Sequence, residues 1–303
     1  MSALHKQANP STRLVWLDIC RILAILAIVG FHIIYEFTLD NNTRIIGYEG
    51  VSIFFITSGF ILAKFYPKLF SFDLKWFLKR YVKIASFYYP TIIVIALLFF
   101  PQPLLERLFD IFIHLFFMNW ISFDYSFSII SPAWFVVPIM AFYIFFPYIN
   151  KFTNKYGFFV AISVLITLIN RFFDPSLVSF SPFFFMAEFC FGIALSNNQK
   201  DIFMLSPLLL AVINPFMILS FGIFYIFYAY LNKLTLFADA VSKIGSRTFE
   251  IFLFHESFMK VILGKWVIFG LDTLLSFIIL CVALLVTMKI RTLIESTILP
   301  KIN

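Results

Sequence analysis

Residues 14–35 read LVWLDICRILAILAIVGFHIIY, an apolar run that carries Asp18, Arg21 and His32 where hydrocarbon is expected. About 20 such residues cross the roughly 30 Å core of a bilayer as a helix. A charge at that depth costs from about 2.5 to well over 10 kcal/mol, so such side chains face a bundle interior or a wet cavity. At about 100° per residue, the eleven steps from Arg21 to His32 close to within about 20° of three full turns. The two share one helix face, about 16 Å apart along the axis. A fixed cation and, farther along, a titratable base suit a long ligand with an anionic head.

The rest of the chain agrees with a membrane reading. Of its 303 residues 62% are hydrophobic and 13% charged, too little polar surface to cover a soluble globule. The apolar runs have helix length, whereas barrel strands would be short and alternating. The expectation is an all-α polytopic bundle of about ten transmembrane helices, residues 1–303 forming a single membrane domain with no additional soluble domain. Cys20, Cys190 and Cys281 stand singly, without the spacing of a disulfide framework or a zinc site, so no metal is expected. The net charge of +7 is read as loop asymmetry, not as a nucleic-acid surface.

In order, Lys6 and Arg13 lie in a polar N-terminus, span one covers about 14–35 and residues 36–49 form an external loop. Span two covers 50–66, with Ser52, Ser58 and Gly59 as small packing surfaces. A basic stretch with Lys64, Lys68, Lys75, Lys79, Arg80 and Lys83 fixes the cytoplasmic side. Span three (84–100) ends at Pro101 and Pro103. Segment 104–121, with Glu106, Arg107, Asp110 and His114, reads as an interfacial or re-entrant outer helix, since a full crossing would put Lys151 and Lys155 outside. Spans four (132–150), five (156–171) and six (182–196) follow, five and six joined by an external DPSLVS turn. A helix to Ile213, a break at Asn214-Pro215 and a helix to 231 make spans seven and eight; spans nine (248–264) and ten (273–290) complete the set. Of 23 Lys and Arg, only Arg44, Arg107, Arg171, Lys260 and Lys265 fall at or near the outer side, and both termini are placed inside.

Six segments carry a family resemblance. They are RILAILAIVGFH with its Arg and His, GVSIFFITSGF, RYVK at 80–83, PAWFVVPIMAFYIFFP around Trp134, FCFGIAL, and GSRTFEIFLFHESF around His255. In content and order the chain resembles the acyltransferase-3 family of integral membrane O-acyltransferases, of the O-antigen or surface-polysaccharide type without a C-terminal SGNH domain. Two positions depart from the family pattern: Trp134 is followed by FVVPIMA where many members carry acids, and Lys83 replaces the second arginine of an R-x-x-R, keeping charge but losing the bidentate fork.

The resemblance implies an acetyl group moving from cytoplasmic acetyl-CoA, a co-substrate and not a bound cofactor, to a hydroxyl of a cell-surface carbohydrate or lipid-linked precursor in a bacterial inner membrane. Arg21, Arg80 and Lys83 would hold the CoA phosphates. His32 would act as general base, a role its ordinary pKa suits, and Glu36 one turn on would orient the ring. Asp18, Trp134, Glu188 and His255 are further candidates. Bland alternatives stand beside these: a core histidine at 32, an Arg21–Asp18 bridge within one helix, a basic stretch that only meets anionic lipid, and a structural His114. Glu250 is half a turn off the face of His255, against a direct pair. The rival function is a transporter or flippase for a lipid-linked sugar or small anion, which intramembrane charges and the break at Asn214-Pro215 would also fit.

Overall fold

Leucine, isoleucine and alanine without an internal proline carry the first run into one helix, α1 (Val15–Thr38). In the computed structural model the described residues are 14–99, 103–121, 123–173, 181–199, 202–233, 237–266, 268 and 271–302. After α1 come α2 (Arg44–Phe65), α3 (Leu74–Phe99), α4 (Leu104–Leu115), α5 (Phe123–Ser126), α6 (Val136–Lys155), α7 (Phe159–Phe173), α8 (Met186–Ser196), α9 (Leu219–Tyr230), α10 (Ala238–Gly245), α11 (Thr248–Ile262) and α12 (Thr273–Ile302). Short 3₁₀ segments join them, and no strand occurs among the described residues. The fold is all-α. Lys6, Arg13, Pro101 and the DPSLVS turn lie outside the described residues.

Among the described residues, five helical stretches are long and apolar enough to cross a membrane: Val15–Thr38, Asn41–Phe65, Leu74–Phe99, Ser131–Lys155 and Thr273–Ile302. The other apolar segments are shorter, Phe159–Phe173, Pro182–Ser196, Ile202–Val212 and Pro215–Tyr230. Ile202–Val212 is 3₁₀ helix, so at about 2.0 Å per residue its 11 residues reach about 22 Å. The break after it falls where expected, with the Asn214 side chain accepting from the Phe216 N–H at 3.0 Å.

Two connections expected from hydropathy are largely helix. Of the external loop 36–49, Glu36 to Thr38 belong to α1 and Arg44 to Glu49 to α2. Leu39 closes α1 in the left-handed region at φ 53°, and Asp40 accepts from the Asn42 N–H at 2.9 Å. Likewise Lys75, Lys79, Arg80 and Lys83 ride on α3, whose start is fixed by Asp73 accepting from the Trp76 N–H at 2.9 Å. Hydropathy marks where hydrocarbon ends, not where backbone hydrogen bonding does, and helices continue into the polar interface. For the same reason α12 runs on past residue 290 to Ile302.

The chain forms two compact units. Unit 1 comprises Met1–Phe70, Pro147–Leu177 and Phe183–Thr248. Its centre is the packing of α2 on α8, where a Cβ on Gly59 would collide with the Phe189 carbonyl and one on Gly192 with the Ile56 carbonyl. Only glycine on both sides lets the two backbones approach this closely. Trp16 meets Phe60 and Phe224 edge-on at 5.2 and 5.4 Å, and Phe55 stacks on Phe185 at 4.4 Å. Lipid tails are as apolar as these side chains, so close packing, not water exclusion, favours the contacts.

Unit 2 comprises Ser71–Phe146, Val178–Pro182 and Phe249–Asn303. Here α3 packs along α12, Trp76 stacks on Phe146 at 5.5 Å and Phe135 meets Phe252 edge-on at 5.1 Å. In α4 the usual amphipathy is inverted: Asp110, Ile113 and His114 are buried while Leu104, Leu105, Leu108, Phe109 and Phe112 are exposed. The His114 Nδ1 lies 3.0 Å from the Asp110 carbonyl. At 12 residues the helix is about 18 Å long, in keeping with an interfacial segment.

Candidate functional site

The face of α1 that packs inward is Trp16, Leu17, Asp18, Cys20, Ala24, Ile25 and Ile28, and Arg21 and His32 lie along its edge, each partly exposed. Arg21 Nη1 donates to Asp18 Oδ1 at 3.0 Å; the Asp18 side chain is 2% exposed and that of Arg21 31%. The Ser242 hydroxyl donates to the other oxygen of Asp18 at 3.4 Å. Gly245 in α10 leaves room for the carboxylate, since a Cβ there would meet the Asp18 side chain. The bridge within one helix is therefore present, and it orients the guanidinium while leaving part of it accessible. Farther along, the His32 ring lies 4.6 Å from that of Phe31, and Glu36 follows one turn later in the same helix.

Glu188 is not near this edge in character: it is fully buried and anchors a polar cluster inside unit 1. Its Oε1 accepts from the Tyr48 hydroxyl at 2.9 Å and from Ser52 at 3.1 Å, and pairs with Arg171. Arg171 also donates to the Phe184 carbonyl at 3.3 and 3.1 Å and lies over the Tyr48 ring at 4.7 Å. Beside it Glu49 Oε2 accepts from the Ser220 N–H at 2.7 Å. The donors to Glu188 thus converge on one of its carboxylate oxygens, Oε1. The cluster ties α2, α7, α8 and α9 together.

Arg171, expected at or near the outer side, is 1% exposed. The available signal was an opposite pair, Arg171 and Glu188, in consecutive apolar helices.

In unit 2 Arg80 is partly exposed and Lys83 exposed, on successive turns of α3. Lys83 is within electrostatic reach of Arg80, Lys79, Arg291 and Glu295. Ser86, one turn on, donates to Glu295 at 3.1 Å. Arg291 donates through Nε to Glu295 at 2.9 Å and through Nη1 to Glu250. Glu250 thus pairs with Arg291 of α12. Arg291, Glu295 and Glu256 were missed as candidates, because a helix end rich in Arg and Glu looks the same whether solvated or packed.

His255 is buried, with Nδ1 2.6 Å from the Phe252 carbonyl. That contact assigns the proton to Nδ1 and leaves Nε2 as an acceptor. Trp134 is 8% exposed in a 3₁₀ turn, Ser131–Phe135. Ser131 at the start of that turn donates to Glu256 Oε1 at 2.8 Å, and Glu256 pairs with Lys260 at 2.7 Å. An acid thus reaches the Trp134 turn from α11, although none follows Trp134 in sequence.

The three cysteines are free thiols, and among the described residues no group of three or more His, Cys, Asp or Glu could hold a metal ion. A family model described as an acyltransferase domain, acyltransferase-3, matches residues 14–238. No curated protein and no solved structure matches the chain.

Proposed function

The chain belongs to the acyltransferase-3 family and is a multi-pass membrane acyltransferase, and on that premise we propose that it is an O-acetyltransferase. It takes acetyl from cytoplasmic acetyl-CoA and delivers it to a hydroxyl of an extracytoplasmic carbohydrate or lipid-linked precursor, in a bacterial inner membrane with both termini inside. The observation that carries the reading is the partly exposed edge of α1, which offers a held cation, Arg21, and a histidine, His32, about 16 Å apart along one helix.

In this reading His32 accepts the proton of the acceptor hydroxyl as its oxygen attacks the thioester carbonyl. The carbon–sulfur bond breaks, the thiolate leaves and is protonated to CoA, and the acetyl ester remains. A positioned base contributes about 10²–10⁴-fold, and Glu36 orients the imidazole. Arg21 serves the anionic head of the donor; of the two α3 cations, Arg80 suits a phosphate better than Lys83 because its planar fork matches one. A membrane transporter would account for the broken segment at Asn214-Pro215, but the family is one of acyltransferases.

Surface glycans from cells with and without the protein, compared by mass spectrometry, test this. Acetyl esters that depend on the protein and disappear with His32→Ala are expected. Full acetylation with that variant removes His32 from the catalytic role, and no protein-dependent ester removes the carbohydrate acceptor.

A further inference from the structure

Inside unit 1 two carboxylates, Glu49 and Glu188, lie within electrostatic reach of each other and of one guanidinium, Arg171. Arg171 is paired with Glu188 through Oε1, and Glu49 Oε2 takes the Ser220 N–H. The second oxygen of each acid, Glu49 Oε1 and Glu188 Oε2, is enclosed and accepts no hydrogen bond among the described residues. Nor do the described elements packed on this part of α2 bring a second cation. There α1 presents Ala24, Ile28 and Phe31 to Gly47 and Gly50, and α9 reaches Glu49 through the Ser220 backbone. Tyr48 gives its hydroxyl to Glu188, and Arg44, earlier in α2, lies over the Tyr35 ring. With both acids ionised, one negative charge would stay uncompensated where Glu49 is 7% and Glu188 0% exposed. An unpaired acid in such a place takes up a proton instead, and two carboxylates that share a dry site do not both ionise.

We propose that Glu49 and Glu188 form a proton-binding site, in which one exchangeable proton is carried on Glu49 Oε1 and directed to Glu188 Oε2. That single proton removes the excess charge and gives both enclosed oxygens a hydrogen-bonding role, joining α2 to α8. It comes from water and returns to water, with no other bond changed. The site stands apart from the acetyl-CoA reading, since neither acid takes part in the transfer proposed above. Its loss as pH rises sets two carboxylates against each other between α2 and α8. The folded protein then holds near neutral pH a proton that an unfolded chain, with ordinary glutamates, has released, so stability falls as pH rises through the titration of the site.

Infrared spectra of the full chain read the proton directly, taken across pH in water and in deuterium oxide, in nanodiscs of ether-linked phosphatidylcholine that has no ester carbonyl. The expected result is a band of undissociated carboxylic acid that shifts in deuterium oxide and fades as pH rises, with the thermal midpoint falling over the same range. Glu49→Gln is expected to fold, to lose that band and to keep a midpoint that no longer falls over this range. Its amide can accept the Ser220 N–H and donate to Glu188 Oε2, as the protonated acid does. No such band in the wild type overturns the proposal, and so does a band that persists in Glu49→Gln. Failure of Glu49→Gln to fold overturns it as well, because a neutral donor would then not be what the site holds. A midpoint raised by sodium at constant ionic strength in the wild type, but not in Glu49→Gln, assigns the missing positive charge to a metal cation and overturns the proton.

Discussion

Each unit contains an arginine paired with a glutamate on a neighbouring helix, and the two pairs are built for different ends. In unit 1 Arg171 and Glu188 are 1% and 0% exposed, enclosed by Tyr48, Ser52 and Phe184. In unit 2 Arg291 keeps 21% of its side chain exposed and divides itself between a buried Glu250 and a Glu295 that is 25% exposed. Where water is excluded the pair can only hold helices together, and losing one member strands the other charge. Where water has access, as at Glu295, losing one member costs less, because solvent screens the charge left behind, whereas Glu250 is left nearly as buried as Glu188.

The contrast is tested most severely by Arg171→Ala. With Glu188 left buried, the loss should be about 3–5 kcal/mol, seen as a large fall in thermal midpoint in nanodiscs; Arg171→Met together with Glu188→Leu should recover most of it. A single variant as stable as the wild type would erase the distinction. Next comes Gly192→Val, one turn after Glu188 in α8. Forcing a side chain against the Ile56 carbonyl should cost about 1–3 kcal/mol, and combined with Arg171→Ala the losses should be less than additive, since both loosen α8. Arg291→Ala should cost about 1–3 kcal/mol, the worth of charged hydrogen bonds at a part-exposed site, so its midpoint should fall by less than that of Arg171→Ala. The smallest effect belongs to Lys260→Ala in the i,i+4 pair with Glu256, about 0.3–0.5 kcal/mol. A larger drop would mean that Lys260 is needed to hold Glu256 against the Trp134 turn.

How much of this was legible in advance follows from what each signal encodes. The all-α membrane architecture was readable from hydropathy, and α1 was readable to within a few residues because apolar run and helix coincide there. The ends of α2, α3 and α12 were not, since Arg44 to Glu49, Leu74 to Lys83 and the residues after 290 are polar helix beyond the apolar run. Periodicity put Arg21 within reach of Asp18, because that is a property of a single helix. It had no means of joining Arg171 to Tyr48, or Arg291 to Glu250. Those pairs lie 123 and 41 positions apart in the chain, and which helices become neighbours is decided by packing such as the Gly59–Gly192 crossing. For this reason the partner of Glu188 could not be read from the sequence.

The outward-facing apolar side of α4 has a further consequence, for the parity of the chain. A 12-residue helix that exposes leucine and phenylalanine on one face and buries Asp110 and His114 on the other is, at about 18 Å, short of the roughly 30 Å that a crossing needs. Reporter fusions placed at Pro103 and at Ile121 should therefore register the same side. A topology count that scores this stretch as a crossing would reverse the sidedness of every later connection, moving Lys151, Lys155 and the Arg291 end of α12 to the opposite face of the membrane.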